Sequence, residues 1–307
     1  MKTALKQTEK ITSHEQHAHP LLGVALMIGA MLVFPFLDVV AKFLGNDGVP
    51  VVEIVWARLT IGMLITAPLL LRSEGLQSFI PREPRLNMLR AGFIMISTMM
   101  FFGALRYQGV AETLAIYFVQ PLIITMLAPF MLNEHVGLRR WIAVLIGFLG
   151  VLIIIRPGFQ SINPGVFLSL GAGLGSAISL VLTRRLAGGS SALANTFYTS
   201  LFGAAFASVV VLFFWKTPSL HQLEMFVLLA AIGTLGNYLT IKAMQYAEAS
   251  LLAPLGYTEM INAVLAGWYF FGDFPDGWSF VGVAILVVCA IYISYRERTK
   301  QIEIERP

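Results

Sequence analysis

Long apolar runs, separated by short turns that collect the charges, set the pattern of this chain from residue 21 to residue 295. A helix needs about 20 apolar residues to cross a bilayer core of about 30 Å. Ten runs approach that length: 21–44, 52–71, 88–106, 112–132, 139–156, 165–185, 193–215, 222–245, 251–271 and 278–295. The pattern predicts an all-α, polytopic membrane protein with ten transmembrane helices. Residues 1–20 read as a disordered cytoplasmic tail and 296–307 as a second cytoplasmic tail. The first run is too long for the apolar part of a cleaved signal peptide and passes into LDVVAKFL without a small-residue cleavage site.

The pattern occurs twice. Ala104, Tyr107, Glu134, Val144 and Ile154 return, 139 positions later, as Ala243, Tyr246, Asp273, Val283 and Ile293. Near the start of each half, Gly23, Val24, Leu26, Gly29, Ala30 and Leu32 return at a shift of 142 as Gly165, Val166, Leu168, Gly171, Ala172 and Leu174. The halves are 21–156 and 165–295, with five runs each. Five is odd, so the second unit enters the membrane upside down relative to the first, as in carriers built from inverted repeats.

Composition agrees with the pattern: 57% of the 307 residues are hydrophobic and only 12% are charged. The one cysteine, Cys289, lies inside the last run and cannot form an intramolecular disulfide. A pI near 9.2 in a soluble protein would point to an anionic partner such as nucleic acid. Here the distribution of the basic residues accounts for it. With the N-terminus inside, sixteen Lys and Arg fall on the cytoplasmic side, among them Arg72, Arg82, Arg85, Arg90, Arg139, Arg140, Arg184 and Arg185. Only Lys42, Arg106, Arg156 and Lys216 fall outside, and Arg58 lies within a run. By the positive-inside rule both termini are cytoplasmic. The 72–90 connection, with Pro81, Pro84 and four arginines, is then a cytoplasmic anchor.

Ionisable groups within a span cost roughly 2.5–3.5 kcal/mol each on insertion scales, so each needs a reason. The 139-residue shift places Gln120 on Glu259, both near the middle of their runs. Tyr117 shares a helix face with Gln120, and Asn262 with Glu259. Two readings stand: a helix-to-helix hydrogen bond that serves packing, or a substrate or proton site where the repeats meet. Asp38 and Arg58 lie at one depth, about six residues or roughly 9 Å from the outer ends of the first two runs. They read either as a structural ion pair or as an outward vestibule or gate, and Lys42, one turn from Asp38, is a competing partner. Trp56, Tyr117 and Tyr257 are candidate walls for a flat ligand. Glu134 and Asp273 close their runs beside turns and read as solvated helix-end acids.

Other chemistry is poorly served. The histidines of HEQHAH (His14, His17, His19) sit in a polar tail without groups to orient them as metal ligands. GAGLGSA in the sixth run brings its third glycine one place early for a dinucleotide loop and lies inside an apolar helix. Its small residues suit close helix approach instead. No histidine falls in any run and no metal-ligand or nucleophile cluster is present. The expectation is a carrier with no cofactor, no metal, no nucleic acid partner and no catalytic residues.

The doubled five-run unit, Arg58 in WARLTIGML, the Pro-containing fourth run ending in MLNEHV and the GFLGVLIIIRPG that closes the fifth resemble the EamA family of the drug/metabolite transporter superfamily. The resemblance covers nearly all the chain after residue 20 and is looser in the second half, where Gln120-Pro121 becomes Glu259-Met260. It implies ten helices, cytoplasmic termini, a central cavity, a place in the bacterial inner membrane and transport of a small metabolite. HPLLGVALMIGAMLVFPFLDVVAKFL and FFGALRYQGVAETLAIYFVQP are most similar to bacterial riboflavin uptake carriers, with carriers of S-adenosylmethionine and amino-acid exporters as alternatives. The substrate or coupling residues expected are Glu259, Gln120, Asn262, Tyr117, Trp56, Tyr257, Asp38 and Arg58.

Overall fold

The computed structural model describes residues 20–131, 137–155, 163–186, 190–246, 252, 255–256 and 258–305. Among them the regular structure is helical: α1 (Pro20–Asn46), α2 (Val51–Glu74), a 3-10 turn (Leu76–Phe79), α3 (Pro84–Ala104), α4 (Val110–Tyr117), α5 (Gln120–Met131), α6 (Leu138–Ile155), α7 (Pro164–Arg185), α8 (Ala192–Val211), α9 (Leu220–Tyr246), α10 (Thr258–Phe271) and α11 (Gly277–Glu305). Seven stretches are long and apolar enough to cross a membrane, and Trp141–Ile155 and Gly277–Cys289 are shorter apolar helices. The chain is therefore an all-α, multi-pass membrane protein. Lipid-facing helices of this kind satisfy their backbone groups internally, which a hydrocarbon solvent demands.

Local signals set several ends. Pro84 occupies the first turn of α3, where its missing N–H costs nothing. Ser191 caps α8 by accepting the Ala194 N–H at 3.0 Å. α2 extends to Glu74, and α3 starts at Pro84, so the connection expected over 72–90 is shorter. Arg90 is not part of that charged loop but a buried residue of α3, 5% exposed. α11 continues to Glu305, so the described part of the expected C-terminal tail is helical.

The fourth run is the one that departs most from the hydropathy pattern. It divides into α4 and α5 at Phe118–Val119. Pro121 has no N–H to return to the Tyr117 carbonyl, so the regular ladder fails there. Val119 instead donates to Ile116 at 3.1 Å, and Leu122 to Val119 at 3.0 Å. The residue marked out by sequence, Gln120, thus opens a helix rather than sitting in the middle of one.

The most extensive packing pairs α1 with α9, α3 with α7, α2 with α8, and α6 with α11. Further contacts run α3–α8, α2–α9, α1–α10, and from α7 to α4 and α5. α6 and α11 cross where Gly150 meets Gly282. A Cβ on Gly282 would lie 2.6 Å from the Gly150 carbonyl oxygen, so only hydrogen fits. The core is aliphatic and aromatic, including Leu44, Ile54, Leu114, Ile116, Leu122, Leu229 and Leu286. Large apolar side chains such as Phe130, Leu145, Phe213 and Tyr269 point outward, which suits a hydrocarbon surround.

Candidate transport site

The helices enclose a central cavity of about 580 Å³, within the size range of small-molecule sites. α1, α2, α3, α4, α5, α7, α8, α9 and α10 all contribute walls; among the described residues α6 and α11 contribute none. Phe34, Phe101, Phe102 and Tyr117 form its aromatic surface. Around them stand Thr98, Ser176, Ser179, Thr183, Asn195, Thr199, Thr234 and Asn237. A flat apolar ring and a hydroxyl-rich or amide-rich portion of one ligand both find partners in such a mixture.

Five of the eight expected residues meet here: Asp38, Arg58, Tyr117, Gln120 and Glu259 all line this cavity. Breaking the fourth run puts Tyr117 at the end of α4 and Gln120 at the start of α5, and both converge on α7. The Tyr117 hydroxyl lies 2.8 Å from Ser176 Oγ, and Gln120 Nε2 donates to the same oxygen at 2.9 Å. Phe101 packs edge-on against the Tyr117 ring at 5.2 Å. The close approach of α7 depends on Gly173, since a Cβ there would meet Val119 Cγ1 at 2.8 Å and the Tyr117 carbonyl at 3.0 Å.

Asp38 and Arg58 share the cavity but are not a contact ion pair, with no N···O distance within 4.0 Å. Arg58 instead places its guanidinium 5.8 Å from the centre of the Phe102 ring, a cation–π arrangement. Asp38 is 4% exposed. Lys42 does not pair with Asp38 either. Its ammonium lies 2.5 Å from Asp273 Oδ2, donates to the Gln108 carbonyl at 3.2 Å and sits 4.7 Å from the centre of the Phe271 ring. Asp273, expected as a solvated helix-end acid, is therefore one half of a salt bridge beyond the Asp38 end of the cavity.

The remaining expected residues lie elsewhere. Trp56 donates to Ser208 Oγ at 2.8 Å and packs edge-on against Trp215, away from the cavity lining. Asn262 returns its amide to the Thr258 carbonyl of its own helix at 3.2 Å. Tyr257, Glu134 and the HEQHAH histidines fall outside the described residues.

Several polar residues of the interior were missed by sequence. Arg90 lines the cavity and donates to the Asn195 carbonyl at 2.9 Å and to Asn87 Oδ1 at 3.3 Å, tying α3 to α8. Ser179 on α7 donates to the Arg90 carbonyl at 3.2 Å. Glu53 is fully buried in the first turn of α2, where Oε2 accepts the Lys216 N–H at 3.2 Å and Oε1 has no partner among the described residues. Glu53 was legible as an acid inside a predicted span. Ser176, Asn195 and Thr234 had no such signal, because small polar residues are common on both buried and cavity faces.

An all-helical membrane protein with a polar and aromatic cavity of this size has room for a small molecule among its helices. The EamA-like transporter family matches residues 21–156 and again residues 163–295. The chain belongs to that family. It is 28% identical over 285 residues to a riboflavin transporter of Vibrio cholerae, covering 92% of this chain and 96% of that protein. It is 23% identical over 278 residues to an S-adenosylmethionine uptake transporter of Rickettsia prowazekii, covering 91% and 94%. A solved crystal structure shares the fold with a TM-score of 0.63 at 20% identity, over 87% of this chain and 95% of that one.

Proposed function

We propose that the protein is a secondary carrier that takes up riboflavin across the bacterial inner membrane, through a ten-helix bundle of two inverted repeats, 21–156 and 165–295, with both termini cytoplasmic. The repeat assignment is supported by the packing. Exchanging the halves turns the α1–α9 pair into α7–α3 and the α3–α8 pair into α9–α2, and it maps α2–α8 and α6–α11 onto themselves. The orientation rests on the charge asymmetry. A cysteine placed at Ser73 in a Cys289→Ala background tests it, because labelling by an impermeant reagent from outside overturns the proposed topology.

The observation that carries the substrate reading is the cavity lining: Phe34, Phe101, Phe102 and Tyr117 beside a set of hydroxyls and amides. An isoalloxazine ring would stack on the first group and a ribityl chain would hydrogen-bond to the second. Asp38, Arg58, Gln120 and Glu259 are assigned to substrate contact and coupling, with the cavity reached alternately from either side. The protein works without a cofactor and catalyses no covalent step.

A second reading, uptake of S-adenosylmethionine, is favoured by one feature: the carboxylates of Asp38 and Glu259 both line the cavity, and a sulfonium cation would be attracted there. Proteoliposomes containing the purified chain distinguish the two. Saturable accumulation of labelled riboflavin, competed by unlabelled riboflavin and not by S-adenosylmethionine, is the expected result. Accumulation of S-adenosylmethionine alone reverses the assignment, and accumulation of neither removes both substrates.

A further inference from the structure

A second cavity, of about 620 Å³, lies between α2, α8 and α9. It exists because α8 and α9 both pack along α2 but touch each other little. Its body is apolar, formed by Ile65, Leu69, Leu193, Ala231 and Leu235. Its other end is polar, formed where α2 and α9 finish and α8 begins: Ser73, Glu74, Ser191 and Lys242. Leu69 and Leu235 are 46% and 49% exposed, so the apolar body opens sideways onto the lipid. Its inner wall includes Thr196 and Thr234, which also line the central cavity.

The charges at the polar end are not paired with each other. Glu74 accepts a hydrogen bond from Ser191 Oγ at 2.5 Å. No N···O distance within 4.0 Å joins it to Lys242, whose ammonium has no hydrogen-bond or ion-pair partner among the described residues. A cavity with an apolar body, an open flank and two separated opposite charges at one end is amphiphilic in the same sense as a zwitterionic lipid. The charge pair narrows the class further. A lipid with an anionic glycerol headgroup would satisfy Lys242 but offer no cation to Glu74. A choline headgroup brings a cation with no N–H to donate. A phosphoethanolamine headgroup supplies both a phosphodiester for Lys242 and an ammonium donor for Glu74.

We propose that this side cavity is a binding site for an aminophospholipid drawn from the surrounding bilayer. The phosphodiester lies on Lys242 and the ammonium on Glu74, and one acyl chain runs along Leu69, Leu193 and Leu235. The chain then stands against Thr196 and Thr234 and closes the flank of the central cavity. The proposal does not depend on which metabolite the carrier moves.

The test uses the full chain reconstituted in nanodiscs of equal parts phosphatidylethanolamine, phosphatidylglycerol and phosphatidylcholine, followed by native mass spectrometry of the lipid that stays bound. The wild-type protein is expected to retain phosphatidylethanolamine about tenfold over each of the others, a difference of about 1.4 kcal/mol. Lys242→Gln should lower total retention, and Glu74→Gln should bring phosphatidylethanolamine and phosphatidylcholine close to parity. Leu235→Trp, which fills the apolar body, should remove the bound lipid. Equal retention of the three lipids by the wild type overturns the proposal. So does a preference for phosphatidylglycerol, or a wild-type preference that survives both charge variants. The wild-type measurement decides the matter even where a variant fails to fold.

Discussion

Lys42, near the end of α1, and Asp273, just past α10, lie 231 residues apart in the chain and 2.5 Å apart in space. They tie the first helix of one half to the connection between α10 and α11 in the other, with Lys42 one helical turn beyond Asp38. The Lys42 side chain is 11% exposed and that of Asp273 38%. Gly109 packs against the same acid, and a Cβ there would lie 3.3 Å from Asp273 Cβ. The Gln108 carbonyl and the Phe271 ring complete the surroundings of the Lys42 ammonium there.

Removing either partner of this bridge should destabilise the protein more than removing both, because a single change leaves a part-buried charge without its counter-ion. A double-mutant cycle with Lys42→Gln and Asp273→Asn, read by thermal unfolding in detergent, should give a coupling on the order of 0.5–3 kcal/mol. Additive effects would show that the pair is incidental.

Gly233 on α9 faces Arg58. A Cβ there would stand 2.7 Å from Leu37 Cδ1 and 3.0 Å from Arg58 Nε, so Gly233→Ala must displace one of them. Overpacking of this kind costs typically 1–3 kcal/mol. The expected result is a lower unfolding temperature together with weaker substrate binding, since Arg58 lines the cavity. Retained binding with lowered stability would mean that Leu37 alone gives way.

Ser176 receives both the Tyr117 hydroxyl and the Gln120 amide. Ser176→Ala leaves both without this partner in the cavity wall, a loss of about 1–3 kcal/mol if they stay unsatisfied. Tyr117→Phe removes only one of the two bonds and should be milder. A riboflavin titration of the purified variants should rank them in that order below the wild type, and the reverse order would show that the hydroxyl of Tyr117 itself touches substrate.

Glu259 stands where the other half carries Gln120, so the fold accepts an amide at the related position. Glu259→Gln should leave stability within about 1 kcal/mol of the wild type, as for substitutions that preserve shape. It should reduce transport at least tenfold. Unchanged uptake across a range of pH would remove Glu259 from both substrate contact and proton coupling.

Hydropathy alone carried the helical class and most of the span positions, because an apolar run of this length has no satisfied conformation in lipid other than a helix. Ala104 to Ile154 and Ala243 to Ile293 repeat one sequence pattern, and the EamA-like family model matches the chain twice, over 21–156 and 163–295. The fourth run reads as one span by hydropathy, and its division at Phe118–Val119, just before Pro121, came only with the structure. Sequence also singled out Asp38, Arg58, Tyr117, Gln120 and Glu259, because polar groups in a span are few and each has to have a reason, but it was the fold that brought them to one cavity. Tertiary structure decided the partners. Lys42 chose Asp273 rather than Asp38 across 231 residues, and Trp56 turned to Ser208 and away from the cavity. Arg90 left the charged loop for the interior. Ser176, Asn195 and Thr234 became cavity walls although nothing local distinguishes them from Thr240, which bonds back to the Gly236 carbonyl of its own helix. Periodicity tells how far a helix runs and which residues share a face. Only the packing of helices from both halves determines which face meets a cavity and which meets lipid.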